Sequence, residues 1–328
     1  MAAEEHRSIQ LPGSDGKPVL VTGATGRQGS AVLRHLLERG RPVRALTRRP
    51  DSPAARALAA AGAEVVAGDM EDRASLERAM GGVHGVYSVQ DFWSSGAVAE
   101  VRQGVNVADA AAATGVTHLV YSSVGGAERN SGIDHWETKW QVEQHIRALG
   151  LPATMLRPAA FMENYYIPAV EKALLKGRLL DPIRASTPYQ TIATDDIGKF
   201  AALAFELPER FIGVALEIAG SELTNPAAAE VFSRVLGRPV RFRRLPMPVV
   251  QVALGREFYQ MFRWFNGGGF QADIAALRRD YPRLRLRTLE DWLREEGWAG
   301  RRAITVRRDK IGRPLPGTPS PTAPDVAR

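Results

Sequence analysis

Apolar and polar positions change in blocks along the first half of the chain. Apolar runs of five or six residues stand at Lys17–Val21, Pro42–Leu46, Ala63–Ala67, Val83–Ser88, His118–Ser122 and Ala153–Arg157. Runs this short, bounded by turn residues, predict β-strands. Between them the spacing changes. Ser30–Arg39 carries Val32, Leu33, Leu36 and Leu37 at helical intervals, and Gly40 ends it. Helical patterns also lie near Ala54–Ala61, Ala74–Met80, Val98–Thr114 and Thr138–Leu149. This alternation predicts an α/β fold: a doubly wound parallel (Rossmann-type) sheet with helices on both faces. Ligands of such sheets sit at the carboxyl ends of the strands, near the point where strand order reverses.

Beyond Pro158 the pattern loosens. Phe161–Lys176 reads as a helix ended by Gly177. Thr191–Phe205 holds Asp195, Asp196 and a further helix, and Pro226–Leu236 forms another, with Thr224 and Asn225 as candidate caps. These elements cannot build a second nucleotide fold. The expected organisation is a flexible N-terminus (1–16), a dinucleotide-binding domain (17–157) and a smaller α+β substrate-side subdomain (158–311). Some segments of the last return to the first sheet. A Pro-rich tail (312–328) is expected to be disordered. Phe258–Phe270 is dense in aromatics and contains Gly267–Gly269. It reads as an amphipathic helix packed on the subdomain or as a lid over an apolar substrate.

Composition narrows the chemistry. The chain has 328 residues, 45% of them hydrophobic and 24% charged, enough for a substantial core. It contains no cysteine, which excludes disulfides, thiolate metal sites and a cysteine nucleophile. Glu4, Glu5, His6 and Arg7 leave the first residues without the apolar core of a secretory signal. No apolar run approaches a membrane span. A soluble, cytoplasmic protein without membrane association is expected. The net charge of +7 comes largely from late arginines such as Arg241, Arg243, Arg244, Arg301 and Arg302. They are not interleaved with stacking aromatics, so no direct nucleic-acid binding is expected. His84, His118, His135 and His145 lack ligand spacing, which predicts no metal site. The absence of GxSxG argues against a serine hydrolase.

The strand ends carry the candidate chemistry. Gly23, Gly26 and Gly29 occupy the turn from the first strand into the first helix, with Thr25, Arg27 and Gln28 between them. The first amides of a helix lack internal partners, and glycines let a pyrophosphate approach them. The second strand ends Thr47-Arg48-Arg49, where an NAD site usually has an acid. An arginine pairs with a 2′-phosphate instead, so NADP(H) is the expected cofactor. Arg48 is the first choice, with Arg49 and Arg44 behind it; a solvated basic loop is the alternative. Asp51 reads as the cap of the next helix. Asp69 and Met70 follow the third strand, and Asp69 is either an adenine contact or a loop acid.

Thr22–Gly29, Val43–Arg48, Gly68–Met70, His118–Ser123, His135–Lys139 and Leu156–Asn164 together resemble the NmrA-like group of atypical short-chain dehydrogenase/reductase proteins. Leu236–Val240 and Ala272–Arg278 extend the resemblance, which covers about residues 17–298. It implies an NADP(H)-binding fold, and the group includes both hydride-transferring reductases and regulators that sense the nicotinamide pool. Carbonyl-reducing relatives place a tyrosine acid four residues before a ribose-binding lysine, with a serine at the end of the fifth strand. Here Lys139 and Ser122 stand in those places, but His135 replaces the tyrosine. His135 is a proton donor, a pocket-lining residue or a plain helix-start residue. The resemblance also places Phe161 beside the nicotinamide, with Glu163 and Asn164 as polar contacts. Gln90 is a candidate cofactor contact, and Phe92 and Trp93 form a candidate substrate wall. Three functions follow. The first is an NADPH-dependent reductase of a small apolar or aromatic quinone, enone or carbonyl compound. The second is a non-catalytic NADP(H) sensor acting through a protein partner. The third is an NADP-dependent epimerase or isomerase.

Overall fold

The structure is a computed structural model that describes residues 16–301. The expected tail and all of the expected flexible N-terminus except Gly16 lie outside those residues.

The first half runs β1 (Val19–Val21), α1 (Arg27–Glu38), β2 (Val43–Thr47), α2 (Pro53–Ala60), β3 (Glu64–Ala67), α3 (Arg73–Met80), β4 (Gly85–Ser88), α4 (Phe92–Ser95), α5 (Ala97–Ala113), β5 (His118–Ser122), α6 (Asp134–Ala148) and β6 (Ala153–Pro158). The strands are β7 (Ala160–Phe161), β8 (Arg178–Asp181), β9 (Tyr189–Ile192), β10 (Ala215–Ile218), β11 (Ser221–Leu223) and β12 (Arg241–Arg244) in the second half. Its helices are α7 (Pro168–Leu174), α8 (Thr194–Glu206), α9 (Pro208–Phe211), α10 (Asn225–Leu236), α11 (Met247–Asn266), α12 (Ile274–Asp280) and α13 (Leu289–Glu295).

The seven-stranded sheet has the order β10-β6-β5-β4-β1-β2-β3, and every pairing is parallel. All six strands read from the sequence are present, each boundary within two residues of expectation. Their near-continuous apolar runs reflect burial on both faces, as parallel sheets require. The chain leaves β1 toward β2 on one side and later returns to β4 on the other. The crevice between β1 and β4 is therefore the switch point. Two small sheets, β11-β9-β7 and β12-β8, lie beyond it.

One core cluster joins α1 and α8 to the sheet through Val32, Leu36, Phe200 and Phe205. A second, on the opposite face, contains Leu76, Val107, Val142 and Ile146. A third lies in the C-terminal half around Phe232, Trp292 and Trp298. The α1–α8 crossing is close because position 198 is glycine: a Cβ there would stand 2.7 Å from the Ala31 carbonyl carbon.

Two local expectations are corrected. Phe161–Lys176 is not one helix. It consists of β7, a 3₁₀ turn (Met162–Tyr166) and α7. Pro168 cannot donate a helical hydrogen bond, and it holds Ile167 extended, so the helix begins only there. The cap of α2 is Ser52, whose side chain accepts from the Ala55 amide, rather than Asp51. Thr224 does cap α10.

Asp195, in the first turn of α8, accepts from His35 Nε2 at 2.7 Å and pairs with Arg34 and Arg287. Burial pushes its pKa up, but the His35 bond and the Arg287 and Arg34 charges outweigh that and hold it well below the usual carboxylate range. A depressed carboxyl contributes stability above its unfolded pKa, about 3.9, and loses it as pH falls. Urea unfolding should therefore show the wild type losing stability below about pH 4. Asp195→Asn should be less stable at pH 7 and show a shallower acid limb.

Candidate functional site

The glycine turn between β1 and α1 is built from backbone. Thr22 Oγ1 accepts from the Val89 amide at 2.9 Å and donates to the Val89 carbonyl at 3.2 Å, tying the ends of β1 and β4 together. Gly23 turns with φ +57°, and the Gly26 amide donates to its carbonyl at 2.8 Å. A Cβ at Gly29 would lie 2.2 Å from that carbonyl oxygen, so only glycine lets α1 start this close to the turn. Gly26 caps α1 without a side chain, and no acid stands in the first turn. Thr25, Gly26 and Arg27 are exposed. The positive end of α1 thus opens on the crevice with unpartnered amides. This arrangement fits a diphosphate. Arg27 spans the crevice to the Glu163 carbonyl at 3.3 Å. The Gln28 side chain turns inward, where Oε1 accepts from Ser122 Oγ at 2.7 Å and Tyr87 OH at 3.3 Å.

At the end of β2, Arg48 and Arg49 are exposed, and no described residue pairs with either guanidinium. Arg44 is committed elsewhere. It pairs with Glu64 at 2.9 Å and donates to the Ala79 and Gly81 carbonyls at 2.6 and 3.0 Å. After β3, the Asp69 carboxylate accepts from the Glu71 amide at 3.0 Å, and the Met70 carbonyl accepts from Asn106 at 2.9 Å. Gln90 is buried beside Met70. Its Nε2 donates to Ser88 at 2.9 Å, whereas its Oε1 has no partner. Ser123 Oγ is likewise buried and unpartnered. Two orphaned polar atoms beside the crevice suit a site completed by a polar ligand.

The α6 side carries the ionisable groups. Lys139 Nζ pairs with Glu100 Oε1 at 2.9 Å, and Thr138 Oγ1 donates to the other oxygen at 2.5 Å. Glu100, in the first turn of α5, is 0% exposed, so Lys139 neutralises a carboxylate closed to water. Its one sequence signal is an acid among Val98, Ala99 and Val101. One turn beyond Lys139, Glu143 accepts from Arg157 Nε and Nη2 at 2.9 and 2.8 Å. This buried fork clamps α6 to the end of β6. Ser122 is fully buried and holds Gln28.

His135 lies in the first turn of α6. Its Nδ1 is 2.5 Å from Glu257 Oε1, a residue of α11 that sequence reasoning did not single out. The same carboxylate accepts the Asp134 and His135 amides, both at 3.2 Å. Burial pushes the His135 pKa down; Glu257 pulls it up and Lys139 opposes that, leaving it below its ordinary value. Ring centroids of Trp93 and Phe92 lie 5.1 and 5.4 Å from the imidazole, and Phe258 stacks on Trp93 at 5.3 Å. Trp93 is 60% exposed, so this aromatic wall faces solvent.

Past β6, Phe161 is half-buried in β7, opposite Ile192. Glu163 Oε1 accepts the Thr194 amide and hydroxyl at 3.0 and 2.8 Å, holding the start of α8. Its other oxygen is buried and unpartnered, and burial pushes the carboxyl pKa up. Asn164 is exposed. The aromatic segment is helical to Asn266 and packs Trp264, Phe265 and Phe270 around Trp136. A break at Gly255 (φ +87°) separates it from the first half of α11. Among the described residues, no acid–histidine cluster could hold a metal, and no helix is long and apolar enough to cross a membrane.

The sequence profile of the NmrA-like family matches residues 15–293. The chain belongs to the NmrA-like family. It is 34% identical over 240 residues to a (4-alkanoyl-5-oxo-2,5-dihydrofuran-3-yl)methyl phosphate reductase of Streptomyces griseus, covering 72% of this chain and 80% of the relative. An NAD(P)H azoreductase of Xenophilus azovorans is 30% identical, again over 72% and 80% of the two chains. The NADPH-dependent quinone oxidoreductase of Escherichia coli, solved with NADPH, superposes with a TM-score of 0.72 at 24% identity. That match spans 85% of this chain and 99% of the other, and shows the shared fold.

Gly29→Ala tests the tight turn. Its methyl group would meet the Gly23–Ala24 backbone, so unfolding experiments should show a loss of about 1–3 kcal/mol.

Proposed function

We propose that the protein is an NADPH-dependent reductase that passes hydride to a small, apolar, unsaturated acceptor such as a quinone, enone or azo compound. One juxtaposition carries this reading. The open glycine turn follows β1, and Phe92 and Trp93, which join His135 of α6 and Phe258 of α11 in the aromatic wall, follow the adjacent strand β4. Similarity to a (4-alkanoyl-5-oxo-2,5-dihydrofuran-3-yl)methyl phosphate reductase and to an NAD(P)H azoreductase supports it.

In this reading, the backbone at Gly23, Thr25, Gly26, Arg27, Gln28 and Gly29 receives the pyrophosphate. Arg48 takes the 2′-phosphate, since no described residue claims its charge. Asp69, Met70 and Gln90 border the adenosine side; Phe161 and Asn164 border the nicotinamide. Lys139 holds the nicotinamide ribose while Glu100 fixes its ammonium. Bound NADPH supplies the hydride. The aromatic wall orients a flat acceptor by stacking and excludes water from one side of it.

A second reading, a non-catalytic NADP(H) sensor, is favoured by two observations: the usual tyrosine is absent, and Lys139 is already paired with a buried acid.

Calorimetric titration of NADPH, NADP⁺, NADH and NAD⁺, followed by NADPH oxidation with a quinone, enone and azo panel, separates them. NADPH should bind tightest and be oxidised. Arg48→Glu should weaken NADPH at least about tenfold, or about 1.4 kcal/mol, and leave NADH nearly unchanged. Binding without oxidation would transfer the assignment to the sensor. Failure to bind any nicotinamide nucleotide would overturn both readings.

A further inference from the structure

We infer that His135 and Glu257 form a proton-delivering dyad: His135 Nε2 protonates the acceptor, and Glu257 is the positioning residue that sets the imidazole for it. The inference rests on the reductase reading and adds to it the source of the proton.

The geometry has three parts. First, Glu257 is fixed before it meets the ring. Its two oxygens accept the Asp134 and His135 amides at the positive end of α6, and a carboxylate is favoured there. Second, the contact of 2.5 Å between Glu257 Oε1 and Nδ1 makes Nδ1 the N–H donor. Nε2 is then the nitrogen left to exchange a proton, and no described residue bonds to it. Third, the ring lies against Phe92 and Trp93, on the wall where a flat acceptor would stack, and one turn before Lys139. A capping role for Glu257 accounts for the two amide bonds. It does not account for the bond to the imidazole.

The groups facing His135 come from every neighbouring element. Glu257 comes from α11, Lys139 from α6 and Glu100 from α5, while α4 packs the rings of Phe92 and Trp93 against the imidazole. Burial and Lys139 disfavour the imidazolium, and Glu257 favours it. The dyad therefore holds the proton weakly, as a donor must, with Glu257 the group that favours the imidazolium.

The step balances. The acceptor gains a hydride at carbon or nitrogen, and the displaced electron pair moves to its oxygen or its second nitrogen. That atom forms a bond to the proton as the Nε2–H bond breaks. The acceptor is reduced by two electrons and NADPH is oxidised. The neutral imidazole regains its proton from water.

The test combines kinetics with a measurement that needs no cofactor. In histidine-detected NMR titrations of the free protein, Glu257→Gln should lower the His135 titration midpoint by roughly one unit or more and leave a mixed tautomer. In steady-state profiles, kcat/KM should fall as pH rises through the His135 midpoint. That fall should start at lower pH in Glu257→Gln and vanish in His135→Gln, which keeps the carboxylate on the α6 amides. His135→Gln should cost about 10²-fold or more in kcat with an enone, and less with a quinone, whose electrophilicity demands less acid help. Its NADPH dissociation constant should stay within about twofold, a change of less than about 0.5 kcal/mol. Turnover of the enone within twofold of wild type in His135→Gln, or an unchanged pH profile in that variant, would overturn the dyad alone. Absence of turnover in the wild type with every acceptor would overturn the reductase reading, and the proton-delivery role with it.

Discussion

The approach of α1 to the β1 turn sets the terms for the rest of the crevice. Gly29 lies so near the Gly23 carbonyl that a methyl group has no room, and Gly26 leaves the helix end without a side chain. The helix start is pressed against the strand end, and its amides face the gap between β1 and β4. Everything else at this edge is arranged around that fixed point. Thr22 ties β4 to β1, Gln28 ties the helix to β5 through Ser122, and Arg27 crosses to the segment after β6. On the far side, the small residues Ala31 and Gly198 bring α8 against the same helix.

A second helix, α6, acts as a ruler. Residues 135, 139 and 143 recur at intervals of one turn and so share a face. Each meets an opposite partner from a different part of the chain: Glu257 from α11, Glu100 from α5 and Arg157 from β6. The spacing along one helix thus sets where an imidazole, an ammonium and a structural ion pair stand relative to the sheet. Two of the carboxylates, Glu100 and Glu143, are wholly buried. Removing one member of such a pair leaves a charge with nowhere to go, so the helix has little freedom to rotate or slide.

The sheet was legible because its strands are short apolar runs separated by amphipathic helices, and burial on both faces writes that pattern directly into sequence. The glycine turn was legible because its constraint is local. What escaped was long-range or set by a single residue. Pro168 broke an apparently continuous helix, and Ser52 capped α2 where Asp51 was expected. Strand β10 is partly exposed and only four residues long, too faint to read beside stronger runs. Glu100 and Glu257 pair across 39 and 122 positions of chain, and nothing near either residue announces its partner. The aromatic wall was half visible: Phe92 and Trp93 stood out at the end of β4, whereas their contact with Phe258 depends on where α11 docks.

The place of β10 bears on how the two halves of the chain can exist apart. It is the outermost strand of the main sheet, and it covers β6 by parallel pairing from Met155 to Pro158. Every residue of β6 is buried. A chain cut after β6 would expose a complete, apolar hydrogen-bonding edge, which is a template for adding strands from other molecules. The first half of the chain would then be prone to aggregation, even though its own six strands were intact.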